Sequence, residues 1–348
     1  MSVRAGDGLL GRVVGADGVP IDGLGPAVGS EARSLDADPP DPMRRSIIDR
    51  PLPTGVRVID GLLTCAEGQR IGIYGEPGGG KSTLMAEIIR SAEVDVAVVG
   101  LIGERGREAR EFVEHTLGAE GLARTTIVLA TSDRPAMERM KAAHAATAIA
   151  EWHRDRGRRV LLMIDSVTRY ARALREIGLS AGEPPTRRGY PSSTFARLPK
   201  LLERSGPGES GTITAFYTVL VEGDGSGDPI AEETRGILDG HLVLSAKLGA
   251  ANHYPAVDVL ASKSRVMNRV VSAEHGAAAG RVRTLMSRHA EAEFLIRMGE
   301  YQPGGDAETD EAVGKIDAIN AFLRQKPGER APFETTVATV RALAGAGR

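Results

Sequence analysis

An α/β fold with a mainly parallel sheet, followed by a smaller helical domain, is the architecture this sequence predicts, and three observations carry it. From Gln69 onward, short apolar runs alternate with helical periods. The first run leads directly into a Gly-rich loop and a helix. After Ser272 β-branched runs vanish, and Ala, Glu, Arg and Leu dominate. Strands alternating with helices are the pattern of parallel βαβ units, whose central strands are apolar on both faces. At 348 residues the chain also exceeds what a single core usually fills.

Residues 1–68 are rich in Gly, Pro and Asp, with turn signals at Asp17-Gly18, Asp22-Gly23 and Pro39-Pro40. They read as a lead-in with short strands packed on the core. Residues 69–271 form the α/β domain, with candidate strands at 70–74, 94–102, 126–130, 160–164, 212–219, 241–244 and 257–261. Between the third and fourth strands a helix is expected to start at Asp133-Arg134-Pro135, with a capping carboxyl and a Pro in the first turn. On it Met137, Met140, His144, Ala148 and Trp152 share one arc of the helical wheel and are read as packing residues. Residues 272–348 form the helical domain.

Composition excludes several classes. The 44 basic residues nearly balance 46 acidic ones, for a net charge of -2, which argues against holding nucleic acid by bulk charge. The single cysteine, Cys65, rules out an internal disulfide, fits a reducing compartment and is expected to pack as a small hydrophobe. No apolar run approaches ~20 residues, and the N-terminus lacks a signal-peptide core, so neither export nor membrane spanning is expected. The 7 histidines form no zinc-binding pattern.

The chemistry lies at strand ends. Residues 75–83, GEPGGGKST, fit the G-x-x-x-x-G-K-[ST] phosphate loop in its proper setting, directly after a strand and directly before a helix. Gly75, Gly78, Gly79 and Gly80 let the backbone curl so that its N–H groups, with Thr83 at the helix start, surround phosphate oxygens. Lys81 is a mobile charge able to follow the β- and γ-phosphates, and the Ser82 hydroxyl is placed to ligate Mg²⁺. The run 160–164 ends in Asp165, which should emerge beside the loop and hold the magnesium's water shell; taken alone such a motif reads more readily as a helix cap, and its place downstream of a phosphate loop reverses that preference. Glu104 follows the run 94–102 at the same edge. It either orients a water in line with the γ-phosphorus or caps the next helix and pairs with Arg105 or Arg107.

Together GEPGGGKST, LIGERGREAREF, ATSDRPAMERM, VLLMIDSVTRYARALREIGLSAGEPP, RRGYPSSTFARLPKLLERSG, AFYTVLVEG, ILDGHLVLS and NHYPAVDVLASKSRVM resemble the ATPases of type III protein secretion systems. These include injectisome and flagellar export ATPases and are related to the catalytic subunit of rotary ATP synthases. The resemblance runs from about Gly6 to the C-terminus. It implies a RecA-like P-loop core, ATP and Mg²⁺ as ligands, and a homohexameric ring with nucleotide at the subunit interfaces. By matching position, Glu104 is the catalytic carboxylate, Lys81 and Ser82 bind phosphate and magnesium, Asp165 is the second magnesium residue and Arg105 lies near the γ-phosphate. Arg265 matches the arginine finger that enters the neighbouring subunit's site, and Tyr254 the aromatic that stacks on adenine. Residues 325–327 lie where the family closes the other side of the base, without an assigned role.

The resemblance also implies a stalk and stator, export chaperones and effectors as partners, and a cytoplasmic position at the inner membrane. The stretch GDGLLGRVVGADGVPIDG resembles the segment next after the family's N-terminal β-barrel, so that barrel is expected to be missing and the ring less firmly sealed. The turn at residues 223–228 is more glycine-rich than the family's and is expected to be flexible. Three other readings stand beside this one: a flagellar export ATPase, a RecA-like hexameric RNA translocase, and a non-catalytic nucleotide-binding subunit. An RNA translocase needs a basic, aromatic strand platform that nothing before Gln69 offers, and the non-catalytic reading has to account for Glu104.

Overall fold

The computed structural model describes residues 1–27, 29–76, 78–221, 225 and 227–345. The lead-in contributes β1 (Ser2–Ala5), β2 (Val13–Val14) and β3 (Glu31–Ser34), then α1 (Arg57–Leu62). The α/β domain continues with β4 (Arg70–Gly75), α2 (Lys81–Ser91), β5 (Val96–Glu104), α3 (Gly106–Glu111), a π-helical segment (Phe112–Leu117), α4 (Gly118–Ala123), β6 (Thr125–Thr131), α5 (Ala136–Arg154), β7 (Arg159–Asp165) and α6 (Val167–Ser180). A small hairpin of β8 (Pro185–Arg187) and β9 (Tyr190–Pro191) precedes α7 (Ser192–Leu202), β10 (Gly206–Pro207) and β11 (Thr212–Leu220). Then come α8 (Pro229–Ile237), β12 (Gly240–Leu244), α9 (Ala246–Ala250), β13 (Val257–Ser264) and α10 (Met267–Val270). The long α11 (Ala273–Met298), α12 (Ala307–Leu323) and α13 (Phe333–Ala344) close the chain.

The main sheet runs β13-β12-β4-β11-β7-β5-β6-β2, with β10 beside β11. All pairs from β12 to β2 are parallel; β13 and β10 run antiparallel to their neighbours. Every expected strand is present, and β4, β5 and β7 are buried almost throughout, as strands covered by helices on both faces must be. The lead-in joins the sheet through β2, which extends it beyond β6.

Three local readings change. The fifth strand starts at Val96 and runs through Glu104, so Glu104 ends the strand instead of following it. A bulge at Gly103, where φ is +69°, keeps Glu104 opposite Thr131. The carboxyl of Asp133 does not cap α5: the cap position is Pro135, and Asp133 bonds to Thr131, which lowers its pKa. Met137 does not join the packed arc. It is 42% exposed, whereas Ala136 in the same turn, Met140 and Trp152 are buried. His144 packs as expected, between the Leu35 carbonyl (3.1 Å) and the Tyr170 hydroxyl (3.0 Å). Burial and the nearby Arg204 guanidinium hold its pKa down at about 4, so the ring stays neutral. Cys65 is buried.

The helical region is not a separate core. Ile59 and Leu62 of α1, Ile73 of β4 and Ile88 of α2 share one apolar cluster with Val282, Ile319 and Val340. Contact is close enough that a Cβ on Gly61 would lie 2.8 Å from Val340 Cγ2. Of the turn at 223–228, residues 223, 224 and 226 lie outside the described residues; Gly225 and Gly227 take positive φ. Among the described residues no helix is long and apolar enough to cross a membrane.

Candidate functional site

Parallel strands deliver their C-terminal ends to one margin, and the observed register makes this concrete. Gly75 pairs with Leu220, Ile164 with Tyr217 and Leu101 with Asp165, so the ends of β4, β11, β7 and β5 line a single cleft of about 630 Å³. Gly78 and Gly80 of the loop have φ near +85°, left-handed backbone that a side chain would strain, and Lys81 opens α2. Lys81 Nζ lies 2.6 Å from Asp165 Oδ1, and the Thr218 hydroxyl donates to the same oxygen at 2.7 Å. Ser82 and Thr83 line the same cleft.

Glu104 does not cap α3, whose cap position, Arg105, has no side-chain hydrogen bond to the helix. Its carboxylate instead lies 3.0 Å from the Arg169 guanidinium, with the side chain only 12% exposed. Arg169 also donates to the Gly103 carbonyl, and a Cβ on Gly103 would meet its Cδ at 3.0 Å, so the bulge glycine admits that arginine. Burial first, and then repulsion from the Asp165 carboxylate, raise the Glu104 pKa above the ordinary 4.5; Arg169 and Lys81 pull the other way. A largely buried carboxylate with a raised pKa, in a cleft it shares with a lysine, is the electrostatic pattern common at functional sites.

Arg105 has its guanidinium on Glu108 at 2.8 Å and is 77% exposed, on the cleft's outer wall. The structure does not bring Arg265 to this cleft. Since β13 is antiparallel, Ser264 pairs with Gly240 at the start of β12, and Arg265 N–H donates to the Asp239 carbonyl (3.0 Å), next to Arg70 at the start of β4. Arg265 thus sits exposed at the opposite sheet margin from Lys81, its guanidinium on the Arg235 carbonyl (3.0 Å).

Beside the cleft lies a second, apolar cavity of about 240 Å³ lined by Val56, Thr83, Tyr254, Pro255, Gln325 and Pro327, among others. Tyr254 is 42% exposed and approaches the loop closely: a Cβ on Gly80 would be 3.5 Å from its ring. The unassigned residues 325–327 therefore form the wall facing Tyr254, which matches the size and polarity of a site for a flat base.

A hard divalent cation fits the donors present. A hydroxyl, Ser82, and a carboxylate, Asp165, flank the loop, and among the described residues no cluster of three or more His, Cys, Asp or Glu side chains offers an all-protein cage. That is the donor set of Mg²⁺ held chiefly by phosphates and water. Sequence reasoning missed Arg169 and Thr218. Arg169 is one of several arginines on α6, and Thr218 stands in an apolar strand; only the fold singles them out. The one available signal was spacing, since Arg169 lies four residues after Asp165, in the first turn of the helix that follows the strand.

Comparison with known proteins gives the same picture. The ATP synthase alpha/beta family, nucleotide-binding domain, matches residues 55–264, and the T3SS EscN ATPase C-terminal domain matches residues 271–342. The type 3 secretion system ATPase of Sinorhizobium fredii is 61% identical over 96% of this chain and 74% of its own length. The flagellum-specific ATP synthase of Bacillus subtilis is 51% identical over 99% of this chain and 79% of its own. Among solved structures, the assembled ATPase EscN from enteropathogenic E. coli superposes with a TM-score of 0.93 at 49% identity, covering 99% of this chain and 83% of that one. EscN in complex with its central stalk EscO gives 0.93 at 48% identity, with the same coverage.

Proposed function

The chain belongs to the type III secretion ATPases of the ATP synthase α/β family, and from that premise we propose how it works: as a Mg-ATP hydrolase, active as a homohexameric ring, that energises protein secretion or prepares its substrates. The observation that carries this reading is the convergence of Lys81, Glu104 and Asp165 in one cleft beside the Tyr254 cavity. The loop's N–H groups and the start of α2 bind the phosphates, and Lys81, oriented by Asp165, swings onto the β- and γ-oxygens. Tyr254 stacks on the base. Glu104, held by Arg169, aims a water at the γ-phosphorus and takes its proton. Ser82 and Asp165 would hold Mg²⁺, which when bound supplies charge to offset that of the phosphates. Arg105, on the outer wall, is the residue proposed to meet the γ-phosphate end of the cleft.

Arg265 faces away from its own cleft, so its role as a finger requires a neighbouring copy to present it. Interface completion of this kind makes turnover depend on assembly. A stalk partner is proposed by analogy with EscN, solved in complex with its central stalk EscO. Stator proteins, export chaperones and effectors, and a place at the cytoplasmic face of the inner membrane, are proposed from the family alone. Identity of 50–51% to flagellum-specific ATP synthases supports flagellar export as the second reading, which genomic neighbours would separate from the first.

The test is phosphate release with and without Mg²⁺ across a protein dilution series, alongside mass in solution with a non-hydrolysable ATP analogue. Mg²⁺-dependent release with specific activity rising as rings form is expected. Activity that ignores Mg²⁺ would remove the hydrolase mechanism, and constant specific activity across assembly would remove the trans finger.

A further inference from the structure

Asp60 takes no part in the hydrolytic chemistry, yet it is fully buried in the first turn of α1, where among the described residues no cation pairs with it. Its Oδ1 accepts from the Thr54 N–H (2.9 Å) and the Thr54 hydroxyl (2.6 Å), and its Oδ2 from the Gly55 N–H (2.9 Å). Three donors converging on one group suit an acceptor-only side chain, which an ionised carboxylate is and an amide is not; burial pushes the Asp60 pKa up to about 7, against the downward pull of these three bonds. The turn they fix is tightly placed. Gly55 has φ of +74°, and a Cβ there would lie 2.6 Å from Ser91 Cβ at the end of α2.

That turn holds one wall of the apolar cavity. The Gly55 carbonyl accepts from Gln325 Nε2 (2.7 Å), the Arg57 N–H donates to Gln325 Oε1 (2.8 Å), and Val56 between them lines the cavity. Gln325 in turn donates its own backbone N–H to the carbonyl of Tyr254 (2.9 Å), on the facing wall. Both ends of the Gln325 amide are thereby committed to the turn, and its backbone to the aromatic.

We infer that Asp60 is a positioning residue for the nucleobase: through the turn at residues 54–56 and the Gln325 bridge, it fixes the spacing of the slot in which the base lies. This rests on reading the Tyr254 cavity as the base site. Asp60 touches no ligand, so its effect is confined to the base end of the nucleotide. In Asp60→Asn the new N–H₂ faces a backbone N–H or the Thr54 hydroxyl, the turn shifts, and the slot loses its fit.

The experiment measures binding of ATP and of inorganic tripolyphosphate, and steady-state kinetics, for the full chain and for Asp60→Asn, Gln325→Ala, the double variant and Tyr254→Ala. Asp60→Asn is expected to weaken ATP roughly tenfold, within the range by which a residue that touches no ligand alters binding at a coupled site. Its KM rises while kcat at saturation is kept, and tripolyphosphate affinity does not change. Gln325→Ala should reproduce this, and the double variant should add little, because both act through one bridge. Unchanged ATP affinity in Asp60→Asn and Gln325→Ala, with Tyr254→Ala weakened, overturns the positioning role alone. An unaffected Tyr254→Ala overturns the base site itself. If Asp60→Asn does not fold, Thr54→Val, which removes a donor to Asp60 outside the cavity, decides: unchanged ATP affinity, or equal loss of ATP and tripolyphosphate affinity, overturns the inference there.

Discussion

Replacing Glu104 by Gln removes one negative charge from the cleft and almost nothing else. The amide oxygen still accepts from Arg169, now 3.0 Å from the carboxylate, and the side chain keeps its shape in a site where only 12% of it is exposed. What is lost is the capacity to take a proton from the attacking water. General-base catalysis contributes about 10²–10⁴ in rate, so the barrier to hydrolysis should rise by about 3–5 kcal/mol. Lys81 and the loop are untouched, and binding should persist. The fold should not weaken either, since in the native cleft burial and the Asp165 charge already oppose the ionised form of Glu104. A neutral side chain relieves that opposition, and the melting temperature should stay level or rise. Single-turnover phosphate release, with the nucleotide retained on the protein after gel filtration, reads the first effect; thermal unfolding reads the second. Turnover within about tenfold of the parent would strip Glu104 of the base role. A large drop in stability would mean that its negative charge is structural.

Other consequences are measurable. Arg265→Ala should bind nucleotide normally yet lose about 10³-fold or more in turnover. Lys81→Ala should fail to bind. Mixing the two inactive variants should restore part of the activity, because in mixed rings an intact loop meets an intact finger; no recovery would refute the trans arrangement. Since the Glu104 pKa is raised above 4.5 by burial and by Asp165, the acid limb of kcat/KM should lie above the ordinary carboxylate range. The same shift makes this group's contribution to stability fall as pH rises from its unfolded toward its folded pKa, and Glu104→Gln should abolish that slope. Gly61→Ala drives a methyl to 2.8 Å from Val340 Cγ2 and 3.1 Å from Phe322 Cζ, so it should cost about 1–3 kcal/mol and loosen α12 and α13 from the core; an unchanged melting temperature would contradict that packing.

What the sequence determined was local. The phosphate loop is a contiguous backbone device, so its glycines, Lys81 and Ser82 were legible as a string. The buried parallel strands were equally legible, because burial on both faces leaves unbroken apolar runs such as those of β5 and β7. Asp165 and Glu104 came with them, since parallel strands end on one margin. Helix caps were less legible: Asp133 looks like one, but its carboxyl has a nearer partner in Thr131.

Tertiary structure decided everything that depends on which strands become neighbours and which way they run. β5 and β4 are separated by β7 and β11, so Thr218 of β11 reaches Asp165 on the neighbouring β7, and Arg169 of α6 reaches Glu104 at the end of β5, each pair far apart in sequence. One antiparallel strand, β13, carries Arg265 to the far margin, and no period or composition in its own residues encodes that reversal. Residues 325–327 became a cavity wall only because α11, α12 and α13 pack on α1, bringing together groups some 270 positions apart in the chain. Side-chain chemistry is written residue by residue, but the distances that turn it into a site arise from contacts whose partners a linear reading cannot pair.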